Sequence, residues 1–117
     1  MRIGDLFYFD VAYEDDPSTF KNRPVLLLQE LENSSLLLIS TTTTKRNNPL
    51  EWYDKYKIPI HNWRKTGLRE ASWCQGRKLI VMPRVEVESL IDANDYIGRI
   101  HPEDFNFIIE EIERLHS

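Results

Sequence analysis

Arg23-Pro24, followed by Val25-Leu26-Leu27-Leu28, is the stretch where this chain combines a chemically useful side chain with a rigid setting. A four-residue apolar run fits a buried strand or a piece of buried helix. Pro24 selects the strand. It has no N–H to give a ladder, is tolerated at a strand's first residue, and drives the residue before it into extended geometry. Arg23 is therefore expected extended, at the mouth of a strand that enters the core. Its guanidinium is permanently charged and offers a planar fork of donors that matches a phosphate or a carboxylate. The alternative is an ordinary strand-flanking surface arginine, since most surface charges do nothing specific.

A second polar group lies at the end of the next apolar run, where Leu36 to Thr41 continues into Thr42-Thr43-Thr44. A hairpin turning at Glu32-Asn33-Ser34-Ser35 faces the start of one strand with the end of the other. Arg23-Pro24 and Thr41-Thr42 then meet across the ladder. A guanidinium and a hydroxyl at one sheet end can hold a phosphodiester. The arginine neutralises charge on a pentavalent transition state, and the hydroxyl donates to a non-bridging oxygen. Downstream, Lys45-Arg46 opens a basic, Asn-rich loop, and Trp52, Tyr53 and Tyr56 interleave with Lys55 and Lys57. Aromatics beside cations suit stacking on unpaired bases and contact with their phosphates. Equally, such aromatics can pack on the surface of a small barrel.

Other chemistries find little support. His61, His101 and His116 are scattered, with no cysteine or carboxylate at ligand spacing, so neither a metal nor a cofactor is expected. The four glycines are isolated and form no phosphate loop. Cys74 has no evident base and reads as a buried strand residue; as the one cysteine, it excludes an internal disulfide. That fits a reducing, cytoplasmic setting, as do the absence of a signal-peptide pattern and of any apolar run of membrane-spanning length.

The elements that must position these residues are short. Gly4-Asp5 is a turn and Leu6–Val11 an aromatic-rich strand. Tyr13–Asn22 reads as a polar loop carrying Glu14-Asp15-Asp16, with Phe20 as its apolar anchor. Strands are expected at Pro24–Leu31, Leu36–Thr41 and Tyr56–Ile60, the last irregular because of Pro59. His61–Leu68 suggests a helical turn closed by Gly67. Ala71–Cys74 and Lys78–Met82 are strands broken at Gln75-Gly76 by a hairpin or bulge. Val85–Asp95 is ambiguous between strand, turn and short helix, and Tyr96–Ile100 is a last strand. Pro102–Leu115 is the clearest helix, with Phe105, Ile108, Ile109, Ile112 and Leu115 forming one apolar face. At 117 residues, 41% hydrophobic and 29% charged, the chain is one globular domain, 1–117, mainly β with helices. Its net charge of −4 carries no basic footprint, so nucleic-acid binding would need a local patch.

Taken in order, Gly4-Asp5, an aromatic strand, a polar loop, Arg23-Pro24-Val25-Leu26 and an apolar strand ending in threonines resemble the MazF/PemK toxin family. Trp63-Arg64-Lys65-Thr66-Gly67-Leu68, Ala71-Ser72-Trp73, Ile97-Gly98-Arg99-Ile100 and the Pro102-Glu103-Asp104 helix start are similar to a PemK-like branch. The likeness spans nearly the whole chain, and the ordered set carries it. It implies an SH3-like small antiparallel barrel of the CcdB/MazF/PemK type with a C-terminal helix, usually a homodimer. It also implies a metal-independent endoribonuclease that cuts single-stranded RNA at short sequences, as the toxin partner of a cognate antitoxin. In that chemistry the RNA's own 2′-hydroxyl attacks the adjacent phosphorus. The family arginine before proline matches Arg23. Ser40-Thr41-Thr42-Thr43-Thr44-Lys45 lines up without gaps on a Cys-Thr-Thr-Gln-Ser-Lys type of segment, so the family threonine matches Thr41, with Thr42 one slip away. Lys21, Lys45, Arg46, Trp52 and Tyr53 are the candidates for gripping RNA. The loop Tyr13–Asn22 departs from the Gly-Ser-Glu-Gln pattern of many family members, which leaves an acidic base unassigned. Two other readings share this fold: a CcdB-like gyrase poison without chemistry, and a non-catalytic SH3-like binding module.

Overall fold

The strand-forming runs of the sequence pair into one antiparallel sheet. A computed structural model describes the chain except for residues 13–15 and 17. Three long strands carry the sheet: β1 (Asp5–Ala12), β2 (Phe20–Glu30) and β3 (Ser35–Thr42). Four short ones complete it among the described residues: β4 (Lys57–Pro59), β5 (Trp73–Gln75), β6 (Ile80–Pro83) and β7 (Tyr96–Arg99). The order is β4-β5-β3-β2-β1-β7, with β6 paired to β3. Two α-helices among the described residues pack on it, α1 (Arg84–Leu90) and α2 (Pro102–His116). The expected small antiparallel fold with a C-terminal helix is thus the observed one.

The β2–β3 turn forms where composition places it. Asn33 and Ser34 take left-handed backbone angles, φ 68° and 58°, and the Leu31 N–H donates to the Ser35 carbonyl at 2.7 Å. Asparagine tolerates that region because its short polar side chain bonds locally.

Strand β2 begins four residues before Pro24, at Phe20, instead of at the proline. Its pairing with β1 runs from Leu6↔Leu26 to Ala12↔Phe20, whereas its pairing with β3 ends at Val25↔Ser40. Pro24 thus sits just past the end of the β3 ladder, where its missing N–H leaves no bond unmade. Phe20–Asn22 are therefore strand and not loop, and Phe20 anchors nothing: it is 61% exposed. Tyr13, Glu14 and Asp15, the acidic start of the expected loop, lie outside the described residues.

The break at Gln75-Gly76 does not make a hairpin. β5 and β6 pair with successive parts of β3, Thr41↔Cys74 and Thr42↔Trp73, then Leu38↔Ile80 to Ser35↔Pro83. The ambiguous segment after β6 resolves into α1 and a 3₁₀ turn at Ala93–Asp95. Gly67, at φ +103°, closes the Trp63–Lys65 3₁₀ turn; a Cβ there would lie 2.5 Å from the Ile97 carbonyl oxygen. The close approach of that turn to β7 accounts for glycine at 67.

Strand periodicity divides the apolar residues between two faces. Leu6, Leu26, Leu28, Ile39, Ile58, Cys74 and Ile100 face α2, whose Ile108 is fully buried among them, with Phe105, Ile109, Ile112 and Leu115 packed alongside. Phe7, Phe9, Val25, Leu27, Leu36 and Leu38 face α1 and its buried Val87. Helix α2 starts at His101, whose Nδ1 accepts the Glu103 N–H at 3.2 Å. The buried carboxylate of Asp104 accepts the N–H groups of His61 and Asn62 at 3.1 and 2.8 Å, tying the helix to the segment after β4. No helix among the described residues is long and apolar enough to cross a membrane.

Candidate functional site on the open sheet face

Helix α1 has seven residues and covers only one end of its face. Among the described residues, no helix covers the same face beyond Val25. Successive side chains alternate between faces, so Arg23 on β2 shares a side with Val25, and Thr42 on β3 with Ser40. The Val25↔Ser40 register, carried one step of two, sets Arg23 opposite Thr42. These residues open into a cleft of about 1150 Å³. Arg23, Ser40, Thr42 and Thr44 line it, with Gln75 of β5 and, from the segments around β4 and β6, Tyr53, Tyr56, Lys57, Arg77 and Lys78.

Short contacts fix the cleft's polar floor. The Arg23 Nη1 donates to the Thr41 carbonyl at 3.2 Å. The Gln75 Nε2 donates to the Ser40 Oγ at 3.1 Å and to the same Thr41 carbonyl at 3.4 Å. Thr42 Oγ1 accepts the Thr44 N–H at 3.1 Å, so its own O–H remains a donor. Thr41 is placed differently. It is 1% exposed, its hydroxyl donates to the Pro24 carbonyl at 2.8 Å, and it does not line the cleft.

Behind the lining residues Tyr53, Tyr56 and Lys57 lies the fully buried Asp54. Its carboxylate accepts the Glu51 N–H at 2.8 Å and the Asn47 N–H at 3.0 Å, and lies 3.5 Å from the Lys57 Nζ. Burial alone would raise its pKa. The bonds from Glu51, Asn47 and Lys57 outweigh that and hold the carboxyl below its ordinary range. The loop from Asn47 to Lys57 is thereby gathered around one charge. On its outside, Arg77 lies over the Trp52 ring at 4.6 Å, Trp52 meets Tyr53 edge-on at 5.6 Å, and Lys57 sits 5.8 Å from the Tyr53 ring centre.

Of the residues proposed from sequence, the structure brings Arg23, Thr42 and Tyr53 together in the cleft lining. Thr41 lies behind its floor. Trp52 stands beside Tyr53, 62% exposed, outside the lining. Lys45 and Arg46 are exposed on the neighbouring loop; Arg46 donates through Nε and Nη2 to the Lys57 carbonyl at 3.2 and 2.7 Å, a tie within the loop. Lys21 is exposed on β2 opposite Val11, also outside the lining. Sequence reasoning misses Ser40, Gln75, Arg77 and Lys78. The signal for the last three is the strand break at Gln75-Gly76, directly followed by two cations, which on sequence grounds is only punctuation.

Arg23, Lys57, Arg77 and Lys78 supply positive charge from β2 and the 57–78 stretch. Among the described residues, the carboxylates of the lining are Asp10, Glu86 and Asp95, from β1, α1 and the turn before β7. Asp10 accepts from the Asn22 side chain at 2.9 Å. The cleft therefore has a cationic side and an acidic side, which a net charge of −4 conceals. Among the described residues, no three His, Cys, Asp or Glu side chains gather as metal ligands would.

The whole arrangement has counterparts among solved structures. The Mycobacterium tuberculosis toxin MazF-mt6 matches over 96% of this chain and 95% of its own, with a TM-score of 0.59 and 21% identity. A chain of the Deinococcus radiodurans MazE-MazF crystal structure matches over 99% of this chain and 95% of its own, with a TM-score of 0.60 and 12% identity. The chain has the MazF fold. No protein-family model and no curated protein matches the sequence. In this instance of the MazF fold, unbroken apolar runs supply both core layers, and the cleft opens at the end of one layer that no helix covers among the described residues.

Proposed function

We propose that this chain is the toxin of a toxin–antitoxin pair and a sequence-specific endoribonuclease for single-stranded RNA in the cytoplasm. One observation carries the reading: Arg23 and Thr42 share the floor of a cleft whose cationic side holds Lys57, Arg77 and Lys78 beside Tyr53 and Tyr56. A phosphate chain suits the cations, and unpaired bases suit the rings. The MazF fold, seen in a toxin and in a MazE-MazF complex, supports both the class and an antitoxin partner.

In this reading the RNA's 2′-hydroxyl attacks the adjacent phosphorus, leaving a cyclic phosphate and a 5′-hydroxyl. Arg23 already donates to the Thr41 carbonyl, which steadies its guanidinium. The remaining donors of the fork stabilise the charge that develops on the phosphorane. The free O–H of Thr42 donates to a non-bridging oxygen. Thr41 holds the frame from behind through Pro24. Lys45, Arg46, Trp52 and Lys21 extend the track for flanking nucleotides, and a two-fold homodimer supplies the rest of the groove.

The test is incubation of the pure protein with a long single-stranded RNA in excess EDTA, with both new ends mapped. Cuts bearing cyclic phosphates, lost in Arg23→Ala, are the expected result. Intact RNA together with inhibited DNA supercoiling would instead favour a gyrase poison.

A further inference from the structure

We propose that Gln75 reads a nucleobase beside the scissile phosphate, as an acceptor for the exocyclic amino group of adenine or cytosine. The inference rests on the cleft being an RNA site, and it gives that site a residue for sequence choice.

Gln75 projects from β5 on the side shared by Arg23, Ser40 and Thr42. The Thr41↔Cys74 and Thr42↔Trp73 pairs place it next to Ser40. Its orientation is determined chemically. The Thr41 oxygen is a carbonyl and can only accept, so the amide corner facing it is the NH2 group. The same nitrogen donates to the Ser40 Oγ. Two acceptors on two adjacent residues of β3 therefore hold the nitrogen end of the amide. The other corner, Oε1, is what a half-buried, cleft-lining glutamine has left to offer a ligand.

A tethered amide oxygen differs from a loose one. A free glutamine can rotate its amide by half a turn and satisfy either a donor or an acceptor on a base. Here rotation would set an oxygen against the Thr41 carbonyl and forfeit that bond, while the Ser40 hydroxyl would have to turn from acceptor to donor. The cleft thus presents a fixed acceptor. Arg23 donates to the same Thr41 oxygen, so the acceptor and the phosphate-binding guanidinium hang from one backbone atom. The base that Oε1 reaches is accordingly a neighbour of the phosphate that Arg23 grips. At purine C6 and pyrimidine C4, adenine and cytosine carry an exocyclic amino donor whereas guanine and uracil carry a keto acceptor; guanine's amino group sits at C2 instead. The predicted preference is adenine or cytosine at one position flanking the cut.

The experiment has two arms, run on wild type, Gln75→Ala and Gln75→Met. Methionine keeps the side chain's length without the amide and guards against a loss of packing in the alanine variant. One arm sequences the cut ends of a randomised single-stranded RNA pool. The other measures binding of 2′-O-methyl homo-oligomers of A, C and U, which cannot undergo attack by a 2′-hydroxyl, by fluorescence anisotropy. Wild type should favour A or C over U or G at one flanking position. Both variants should flatten that preference about three- to tenfold, the worth of one hydrogen bond, while still cutting. Preference retained in both variants, or a wild-type preference for U or G at both flanks, overturns the assignment. Amino-base preference in binding, lost in the variants but without any cleavage, would keep Gln75 as the reader and reject the ribonuclease reading. Absence of both binding and cleavage would reject both.

Discussion

The two faces of the sheet are built from the same three strands and have opposite fates. On one, α2 spans 15 residues and lays Phe105, Ile108, Ile109, Ile112 and Leu115 over a continuous apolar layer. On the other, α1 spans seven residues and places one fully buried side chain, Val87, on the sheet. The first face is closed and its chemistry is inert: the Cys74 thiol lies wholly buried there, and burial pushes its pKa far up, away from any thiolate. On the second face, no helix among the described residues covers the stretch beyond the buried Val25, one same-side step from Arg23. Helix length therefore sets how much of each sheet face the helices cover among the described residues. A polar group placed on an alternating strand becomes a scaffold or a site according to which helix lies over it.

Thr41 and Thr42 show this within one peptide unit. They are chemically identical neighbours, yet one faces the covered layer and bonds Pro24, while the other faces the cleft. Substitutions on each face put the contrast to the test.

The largest stability effect is expected on the closed face. Ile108→Ala removes a fully buried side chain and should cost about 2–5 kcal/mol in denaturant unfolding, by lost transfer energy and the cavity left behind. A loss of only a few tenths would mean that α2 is not the lid of this face.

On the open face, Arg23→Ala should instead spare the fold and lower the cleavage rate by about two to three orders of magnitude, the usual cost of a donor aimed at developing charge. Arg23→Lys should rescue poorly, since an ammonium lacks the planar fork. Initial rates on one RNA, with thermal melts alongside, check both. A folded Arg23→Ala that cuts at the wild-type rate would make this arginine an ordinary strand-flanking charge.

The adjacent threonines should separate in kind. Thr42→Ala is expected to lose roughly tenfold in rate with little change in melting, as for loss of one donor to a charged oxygen of about 1.5 kcal/mol. Thr41→Ala should cost about 1 kcal/mol of stability, because it leaves the Pro24 carbonyl without its partner. If Thr41→Ala lost activity at unchanged stability, and Thr42→Ala did neither, the roles of the two threonines would be exchanged.

The smallest effect concerns pH. Asp54 is held below the ordinary aspartate value of 3.8, so its charged form stabilises the folded loop. That contribution is present above the ordinary value and is lost as pH falls through the depressed native one. Fluorescence of Trp52, next to Tyr53 on this loop, should therefore change only below about pH 4 in wild type. Asp54→Asn should show the altered signal already at neutral pH. A transition near pH 6 in wild type would point to a histidine instead.

Local signals in the sequence account for much of this protein. The apolar runs Leu6–Val11, Val25–Leu28 and Leu36–Ile39, the turn at Glu32–Ser35 and the 3.6-residue stripe of α2 each produce the element expected of them. The extended backbone at Arg23 is legible for the same reason: a proline next to an apolar run is a statement about backbone within a few residues. What depends on partners distant in the chain came from tertiary pairing. Pro24 sits inside β2 because the ladder to β3 ends beside it. Gln75-Gly76 separates two strands that both return to β3 and do not pair with each other. Thr42 reaches the cleft and Thr41 does not, because a one-residue step reverses the face of every side chain on a strand. A run of four threonines carries no mark of which one looks outward; only pairing with β2 and β5, and the reach of a seven-residue helix, selects it.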